Sequence, residues 1–363
     1  MTAVAKKIPV GILGATGTVG QRFIQLLETH PLLVVAAVGA SGRSAGKLYK
    51  ECTAWKLDTP IPPATGMLVV QTCDPACFTA AHCQIIFSGL DAAVAGDIEL
   101  AFLKAEFAVF SNAKNHRMNA CVPIIVPLVN PNHFDIIPHQ RSLYSLNRGF
   151  LVTNANCSTT GLVVALKPLQ DAFGPLSRVV VTTMQAISGG GYPGVPSLDI
   201  LGNVVPYISG EEEKMEEEAL KILGTLGDSN TSFCSALGMR LSASCNRVAV
   251  VDGHTESVFV EFQRRPAPTM EQIENALTNY ISEPQKLSVH SAPERAVVIT
   301  HIADRPQPRL DVRAGNGNAV VIGRIRPCSI FDVKFTLLSH NTILGAAGSS
   351  IMNAEIAVAR GMI

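Results

Sequence analysis

One cysteine of the chain stands where a thiol can act as a nucleophile. Cys157 lies in the segment NANCSTTG, where a predicted strand ends and a predicted helix begins. The N-terminus of a helix stabilises a thiolate, and nearby amides can receive a developing oxyanion. The other cysteines lack this setting and are expected to be small apolar core residues. The chemistry indicated is nucleophilic catalysis by sulfur.

A thiolate nucleophile needs a base, and histidine is the usual one. Among nine histidines, His254 in VVDGHTES is the strongest candidate, because Gly253 breaks a strand and aims the imidazole. His82, His116 and His340 are the alternatives. A lone histidine is more often structural, so the residues alone leave the choice of base open.

A glycine-rich loop follows the first predicted strand. Gly14, Gly17 and Gly20 lie in GATGTVG, directly before the chain turns helical. Glycines let the backbone approach a pyrophosphate, and the helix N-terminus supplies amide donors. The spacing differs from the usual G-x-G-x-x-G, and an ordinary tight turn is the alternative. The strand, loop and helix in succession favour a nucleotide site.

The end of the second predicted strand indicates which dinucleotide is bound. An acidic residue there would bind the ribose 2′-hydroxyl of NAD, but this chain continues into ASGRSAGK without one. Ser41, Arg43 and Ser44 supply hydroxyls and a cation that suit a 2′-phosphate. A solvated loop is the alternative. We therefore expect NADP as the cofactor.

The elements that must position these residues fall into two groups. Up to about residue 155, short β-branched runs alternate with helical patterns, which predicts a parallel sheet. The strands expected there are Ile8–Leu13, Leu33–Ala40, Met67–Thr72, Gln84–Ser88, Ala108–Ser111 and Phe150–Ala155. After a helix at Ser158–Phe173 the strands lengthen, which predicts a largely antiparallel sheet with helices on one face. Those strands are Arg178–Ile187, Arg247–Phe262, Arg295–Ile302, Ala319–Arg326 and Phe331–Leu338.

Composition limits the class of protein. A chain of 363 residues, 47% apolar and 16% charged, is expected to fold as two domains. Its 29 basic residues balance 29 acidic ones, so we expect neither a nucleic acid nor a membrane as partner.

The nine scattered cysteines are typical of reduced thiols in a cytoplasmic protein. Met1–Pro9 lacks the apolar region of a signal peptide. The cluster from Cys73 to Cys83 has no C-x-x-C pair, and we expect no metal.

Six segments, in order, resemble those of aspartate-semialdehyde dehydrogenases, most closely the fungal and archaeal branch. They are GATGTVG, SNAKNHRM, NANCSTTG, QAISGGG, GEEEK and the stretch from Asn246 to His254. The resemblance implies an α/β fold with an N-terminal Rossmann-type dinucleotide-binding domain and an α+β catalytic and dimerisation domain. It places NADP binding in residues 1–155 and 341–363, and catalysis and dimerisation in residues 156–340.

The resemblance also implies roles for single residues. Cys157 is then the nucleophile, His254 the acid and base, and Gln185 the residue that positions the substrate beside the thiol. Arg247 holds the substrate α-carboxylate, and Glu211 the α-ammonium. The phosphate is held by Lys214, Arg117 and Asn115. The residues expected at NADP are Gly14, Ala15, Thr16, Gly17, Thr18, Val19, Ser41, Arg43, Ser44, Ser88, Gly89, Ser188, Gly189 and Asn341.

The implied reaction is the reversible, NADPH-dependent reduction of L-aspartyl 4-phosphate to L-aspartate 4-semialdehyde and phosphate through a thioester. It serves the biosynthesis of threonine, methionine, isoleucine and lysine precursors, and the family implies a homodimer or homotetramer. One difficulty concerns Arg247 and His254, because residues seven apart on one unbroken strand face opposite sides. A break at Asp252 and Gly253 must reset the register.

Two other functions stay open at this point. An N-acetylglutamyl-phosphate or acyl-CoA reductase would share the two-domain plan and the thioester, but an acetylated amine would have no use for Glu211. A catalytically silent NADP-binding regulator could keep the fold. The presence of Cys157, Gln185, Arg247 and His254 together argues against that reading.

Overall fold

The computed structural model describes residues 7–236 and 238–363 of the chain. Our expectation for Met1–Pro9 therefore falls mostly outside the described residues. In the first half the strands are β1 Ile8–Leu13, β2 Leu33–Gly39, β3 Ile85–Ser88, β4 Ala108–Ser111 and β5 Phe150–Thr153. The helices are α1 Thr18–Leu27, α2 Tyr49–Cys52, α3 Pro63–Gly66, α4 Pro75–Ala80, α5 Ala92–Lys104 and α6 Ile137–Tyr144, with a 3-10 helix at Pro131–Ile136.

These five strands form one parallel sheet in the order β2-β1-β3-β4-β5. β3, β4 and β5 are buried along their whole length, as expected for strands that helices cover on both faces. The predicted parallel sheet is confirmed. The strand predicted at Met67–Thr72 is wrong, because Val69 and Gln71 form only single bridges, to Leu48 and Gly39, outside the edge of the sheet.

The second half begins with α7 Cys157–Phe173 and contains a second sheet. Its strands are β6 Leu176–Gln185, β7 Thr225–Leu226, β8 Phe233–Cys234, β9 Arg240–Arg247, β10 His254–Phe262, β11 Val297–Thr300, β12 Val320–Pro327 and β13 Val333–Ser339. Its further helices are α8 Ser197–Ile200, α9 Glu211–Ile222, α10 Met270–Thr278, α11 Glu283–Lys286, α12 Pro308–Asp311 and α13 Gly348–Ala359. Short 3-10 helices lie at Ile187–Gly190 and Ala314–Gly317, and a π-helix at Ile343–Ala347 precedes α13.

The large sheet has the order β11-β12-β13-β10-β6-β9, while β7 and β8 pair separately. Its three central pairings are antiparallel, and the outer pairs β11 with β12 and β6 with β9 are parallel. The sheet is therefore mixed, with the antiparallel centre that we predicted. One face is buried, and α7, α9 and α10 pack against the elements that form it.

The single strand predicted at Arg247–Phe262 is wrong. β9 ends at Arg247, β10 begins at His254, and β6 lies between them in the sheet. The intervening residues cross the end of β6, and Gly253 takes a φ of +100°, a conformation that suits glycine. Because the two residues belong to different strands, their separation of seven does not place them on opposite faces.

The C-terminal segment runs back to the first sheet. α13 packs against α1, β3 and β4, and the Asn353 amide donates to the Ile125 carbonyl at 3.1 Å. No helix in the described residues is long and apolar enough to span a bilayer. Within those same residues, no group of three or more His, Cys, Asp or Glu side chains is placed to hold a metal ion.

Candidate active site

Four neighbouring strands each place one polar residue in the same row of the large sheet. Arg247 of β9 pairs with Gln185 of β6, and His254 of β10 pairs with Ser339 of β13. The register of β6 and β10, with Met184 opposite Thr255, sets Gln185 beside His254. All four residues of the row are buried. The row lies at one end of the sheet, where the N-terminus of α7 crosses it.

Cys157, the first residue of α7, meets this row at His254. The Cys157 Sγ lies 3.1 Å from His254 Nε2, although the two residues are 97 positions apart. The Ala186 N–H donates to His254 Nδ1 at 3.0 Å. A nitrogen that accepts a hydrogen bond carries no proton, so this network assigns the proton of the neutral ring to Nε2, facing the sulfur. Of the four candidate histidines, His254 is the one that contacts the sulfur.

The amides at the start of α7 are mostly occupied. Asn156 caps the helix, and its side-chain oxygen accepts from the Ser158 and Thr159 N–H groups at 2.9 and 3.3 Å. The Thr160 N–H bonds to the Asn156 carbonyl. The cap therefore uses the Ser158 and Thr159 amides, and the expectation that amides around Cys157 receive an oxyanion stays a prediction. The proton on His254 Nε2 is the donor that faces the reacting atoms.

The charges around Cys157 oppose one another. Burial and the Glu211 carboxylate raise the pKa of the thiol, whereas Arg247, Arg117 and the Ser158 N–H lower it, and the balance is a pKa of about 12. Burial and Arg247 lower the pKa of His254 to about 3. The expected thiolate stabilisation is therefore outweighed, because desolvation disfavours the charged forms of both groups. The pair in this arrangement is a neutral thiol beside a neutral imidazole.

We expect alkylation of Cys157 by iodoacetamide to accelerate with pH throughout the range from pH 6 to 9. Only the thiolate reacts, and a raised thiol pKa keeps its fraction small at neutral pH, rising about tenfold per pH unit. The rate is measured on the Cys157 peptide by mass spectrometry. A plateau already reached near pH 6 would instead indicate a thiolate and imidazolium pair.

Glu211 connects the sheet to the start of α7. Its Oε1 accepts from the Asn156 side chain at 2.6 Å and from Gln185 Nε2 at 3.1 Å, and its Oε2 lies 3.1 Å from Lys214 Nζ. Burial raises the pKa of Glu211, but Lys214 and the two amide donors outweigh it and lower the pKa overall. The glutamate is therefore ionised beside the nucleophile. Of the predicted substrate residues, Glu211, Lys214 and Gln185 come together.

Arg117 also reaches the site, where it bonds to a residue that the sequence did not reveal. Its Nη1 lies 2.8 Å from Glu218 Oε1, and both side chains are nearly inaccessible to solvent. Asn115 does not join them, because it is exposed and its amide donates to the Ala92 carbonyl. Seven positions separate Glu218 from Glu211 on α9, and this helical spacing was the available signal.

A cleft of about 800 Å³ lies over the glycine-rich loop. The first turn of α1 opens into it, and Gly17 caps that helix without a side-chain hydrogen bond, which leaves amides for an anion. A Cβ on Gly20 would approach the Gly14 carbonyl oxygen to 2.3 Å, so glycine is required for this tight loop. The expected cofactor residues that line the cleft are Gly14, Thr16, Gly17, Thr18, Val19, Ser41 and Gly89.

The other expected cofactor residues do not line this cleft. Ala15 is buried, Arg43 and Ser44 lie in the loop beside Ser41, and Ser88 donates to Glu99 at 2.6 Å. The rest are Ser188, Gly189 and Asn341. The Asn341 side chain donates to Ser188 Oγ and accepts from the Gly253 N–H, both at 2.8 Å. It therefore holds the turn that precedes His254. The lining residues that we did not predict are Ala40, Gly42, Thr72, Cys73, Asp74, Leu90, Asp91, Val94, Ile98, Gly190, Gly191 and Tyr192.

Gly345, in the π-helix, packs directly on the nucleophile. A Cβ there would lie 2.8 Å from the Cys157 Cβ and 3.1 Å from its Cα. We expect Gly345→Ala to lower kcat about tenfold or more, because displacing Cys157 disturbs its alignment with His254. Steady-state kinetics test this, with Gly66→Ala as a control whose nearest contact would be 3.3 Å. An unchanged kcat in Gly345→Ala would show that this contact does not position the thiol.

Two family models match the chain. Residues 9–137 match the NAD-binding domain of semialdehyde dehydrogenases, and residues 166–344 match their dimerisation domain. The two matched regions contain the glycine-rich loop and the large sheet, respectively.

Similar proteins extend over nearly the whole chain. An aspartate-semialdehyde dehydrogenase of Cryptococcus neoformans is 55% identical and covers 98% of each chain. One from the archaeon Methanothermobacter thermautotrophicus is 45% identical, covering 96% of this chain and 98% of its own. The crystal structure of the Candida albicans enzyme with NADP is 48% identical, with a TM-score of 0.92, and covers 99% of this chain and 100% of its own. The chain belongs to the aspartate-semialdehyde dehydrogenase family.

Proposed function

We propose that this chain reduces L-aspartyl 4-phosphate with NADPH to L-aspartate 4-semialdehyde and phosphate, reversibly, through a thioester on Cys157. Relatives that match this chain over nearly its whole length support the family and the NADP-dependent oxidoreductase activity. The observation that supports the site most strongly is the 3.1 Å contact between Cys157 Sγ and His254 Nε2 at the end of the polar row. Formation of the thioester divides one difficult displacement into two easier steps.

Arg247 and Glu211 suit an amino-acid substrate. Arg247 is buried at the end of β9, and its Nη1 donates to the Ala186 carbonyl at 2.8 Å, which leaves the rest of the planar guanidinium for a carboxylate. The ionised Glu211 lies beside the thiol and suits the substrate ammonium. A substrate with an acetylated amine would bring no cation to Oε1 of that carboxylate, which disfavours the N-acetylglutamyl-phosphate reductase alternative.

In the first step the Cys157 sulfur bonds to the acyl carbon and the bond from that carbon to the phosphate oxygen breaks. The proton that the Cys157 thiol loses is balanced by the proton that the departing phosphate gains. His254 contacts the sulfur during this step. Arg117 and Lys214 are the cations that receive the phosphate. In the second step the thioester carbon would gain the hydride that NADPH supplies, the carbon–sulfur bond breaks, and Cys157 leaves as a thiolate. The proton on His254 Nε2 stabilises that thiolate by a charge-assisted hydrogen bond.

NADP is the cofactor, and the cleft over the glycine-rich loop fits it. The uncapped start of α1 provides donors for the pyrophosphate, and Ser41, whose hydroxyl suits a 2′-phosphate, lines the same cleft. Arg43 follows two residues later, on the exposed loop. When bound, the reduced cofactor supplies the hydride. We assign Gly190 and Gly191 to the same site, because they line the cleft on the side of the large sheet.

We propose that residues 1–155 and 341–363 form the NADP-binding domain and residues 156–340 the catalytic domain. The packing of α13 against the first sheet supports this division.

The match to a dimerisation domain shows a family that associates, and we propose a homodimer or homotetramer. Two exposed apolar residues at α8, Leu198 at 90% and Leu201 at 70% exposure, support such an interface. All nine cysteines are free thiols, which supports a cytoplasmic location.

The test is a spectrophotometric assay of the purified protein with aspartate semialdehyde, phosphate and NADP, following NADPH absorbance. We expect NADPH formation that depends on phosphate, and none with N-acetylglutamate semialdehyde. Activity only with the acetylated substrate would support the alternative reductase. No activity with either substrate would contradict the proposal.

A further inference from the structure

Glu218 is a buried carboxylate that the proposed function leaves without a role. It is 2% exposed and lies on the face of α9 that carries Glu211 toward the site. Both of its oxygens accept a hydrogen bond. Oε1 accepts from Arg117 Nη1 at 2.8 Å, and Oε2 accepts from the Asn156 N–H at 2.6 Å. Short bonds to two different segments make this side chain a bridge between them.

Arg117 has one guanidinium nitrogen without a hydrogen-bond partner. Its Nη2 bonds to the Asn112 carbonyl at 2.9 Å, and its Nη1 bonds to Glu218. Its Nε is buried without a hydrogen-bond partner. Leaving a buried donor of a charged group unbonded is costly, so this nitrogen is suited to an anion that enters the site. The loop itself is held by Lys221 of α9, whose ammonium donates to the Arg117 carbonyl at 2.7 Å.

The other end of the bridge is the helix of the nucleophile. Asn156 is the N-cap of α7 and directly precedes Cys157. Its backbone N–H bonds to Glu218 and its side-chain amide to Glu211, so two carboxylates of α9 fix the start of α7. One glutamate thus joins a guanidinium with a free donor to the residue beside the reacting sulfur.

We propose that Glu218 is a positioning residue for the phosphate group. It orients Arg117 so that Nε faces the phosphate, and it fixes the distance between that guanidinium and the thiol. This assignment rests on the proposed function, which supplies the ligand: phosphate or an acyl phosphate. The contacts of Glu218 would position any phosphate group that binds to Arg117 beside Cys157.

Glutamine is not a conservative replacement at this position. Both carboxylate oxygens of Glu218 accept, whereas an amide of the same shape has one acceptor and one donor. In Glu218→Gln the amide nitrogen must face either the Asn156 N–H or the Arg117 guanidinium, and one bond is lost. Glu218→Asp retains two acceptors on a shorter side chain. Glu217→Gln is the matched control, because Glu217 lies on the same helix and is exposed.

The first test is the phosphate dependence of NADPH formation from aspartate semialdehyde. We expect Glu218→Gln to raise the KM for phosphate about tenfold or more and to leave the KM for NADP within about twofold of wild type. Glu217→Gln should match wild type, and Glu218→Asp should recover part of the phosphate affinity. A fall in kcat at an unchanged KM for phosphate, or no recovery in Glu218→Asp, would overturn the proposal.

The second test does not need turnover. Phosphate should slow the modification of Cys157 by iodoacetate, measured on its peptide by mass spectrometry, in wild type and in Glu217→Gln. Glu218→Gln should need about tenfold more phosphate for the same protection. Equal protection in both variants, or no protection in wild type, would overturn the assignment of Glu218. Protection that Glu218→Gln weakens, in a protein that forms no NADPH, would support Glu218 and contradict the proposed function.

Discussion

Replacing Cys157 with alanine is expected to lower kcat by about 10⁴-fold or more while leaving NADP affinity within about twofold. The sulfur is the atom to which the acyl group bonds, and His254 alone offers no substitute at that position. The nucleotide cleft does not include Cys157, so cofactor binding does not depend on the thiol. Steady-state kinetics give kcat, and a fluorescence titration with NADPH gives the affinity.

The matched control is Cys83→Ala, which removes a buried thiol elsewhere in the chain. Cys83 packs in the core beside the first sheet, so its loss should lower thermal stability and leave kcat within about twofold. If Cys157→Ala retained wild-type activity, the thioester mechanism would be wrong. Equal losses of kcat in the two variants would point to a general effect of thiol removal on folding.

Replacing Arg247 with leucine is expected to lower kcat/KM for aspartate semialdehyde about 100- to 1,000-fold, mostly through KM. A bidentate contact to the substrate carboxylate consists of two charge-assisted hydrogen bonds of roughly 1.5 to 2 kcal/mol each. Their loss amounts to about 3 to 4 kcal/mol of transition-state binding. The KM for NADP should stay within about twofold, since Arg247 lies outside the nucleotide cleft.

Arg240→Leu is the control for Arg247→Leu, because Arg240 lies on the same strand and is exposed at its other end. It should leave kcat/KM near wild type. Loss of Arg247 also removes a charge that lowers the pKa of the Cys157 thiol, so alkylation of Cys157 at neutral pH should become slower. A kcat/KM for the semialdehyde within threefold of wild type would rule out carboxylate binding by Arg247.

The sequence predicted the elements that carry a strong local pattern. The glycine-rich loop, α1 and the parallel strands follow from short β-branched runs between helical segments, and their bounds agree within a few residues. The start of α7 at Cys157 was also readable, because a strand of apolar residues ends in the polar NANCSTT. Each of these features depends on residues that are close to it in the sequence.

Features set by distant neighbours could not be read in this way. The run from Arg247 to Phe262 looks like one strand, since no local signal shows that β6 inserts between β9 and β10. The acidic run Glu211 to Glu218 has the composition of a solvated helix face. Glu211 and Glu218 are nevertheless buried, and they accept hydrogen bonds from Asn156 and Arg117. The lining of the nucleotide cleft from residues 72–74 and 190–192 likewise depends on tertiary packing.

The segment from residue 341 to residue 345 has a consequence for the order of folding. Gly345 abuts Cys157, Asn341 holds the turn before His254, and Thr342 accepts a hydrogen bond from Arg22, which is 320 positions earlier. Contacts this distant in sequence form late in folding. The pocket around the thiol therefore closes only after residues 341–345 have packed against elements from the first half of the chain.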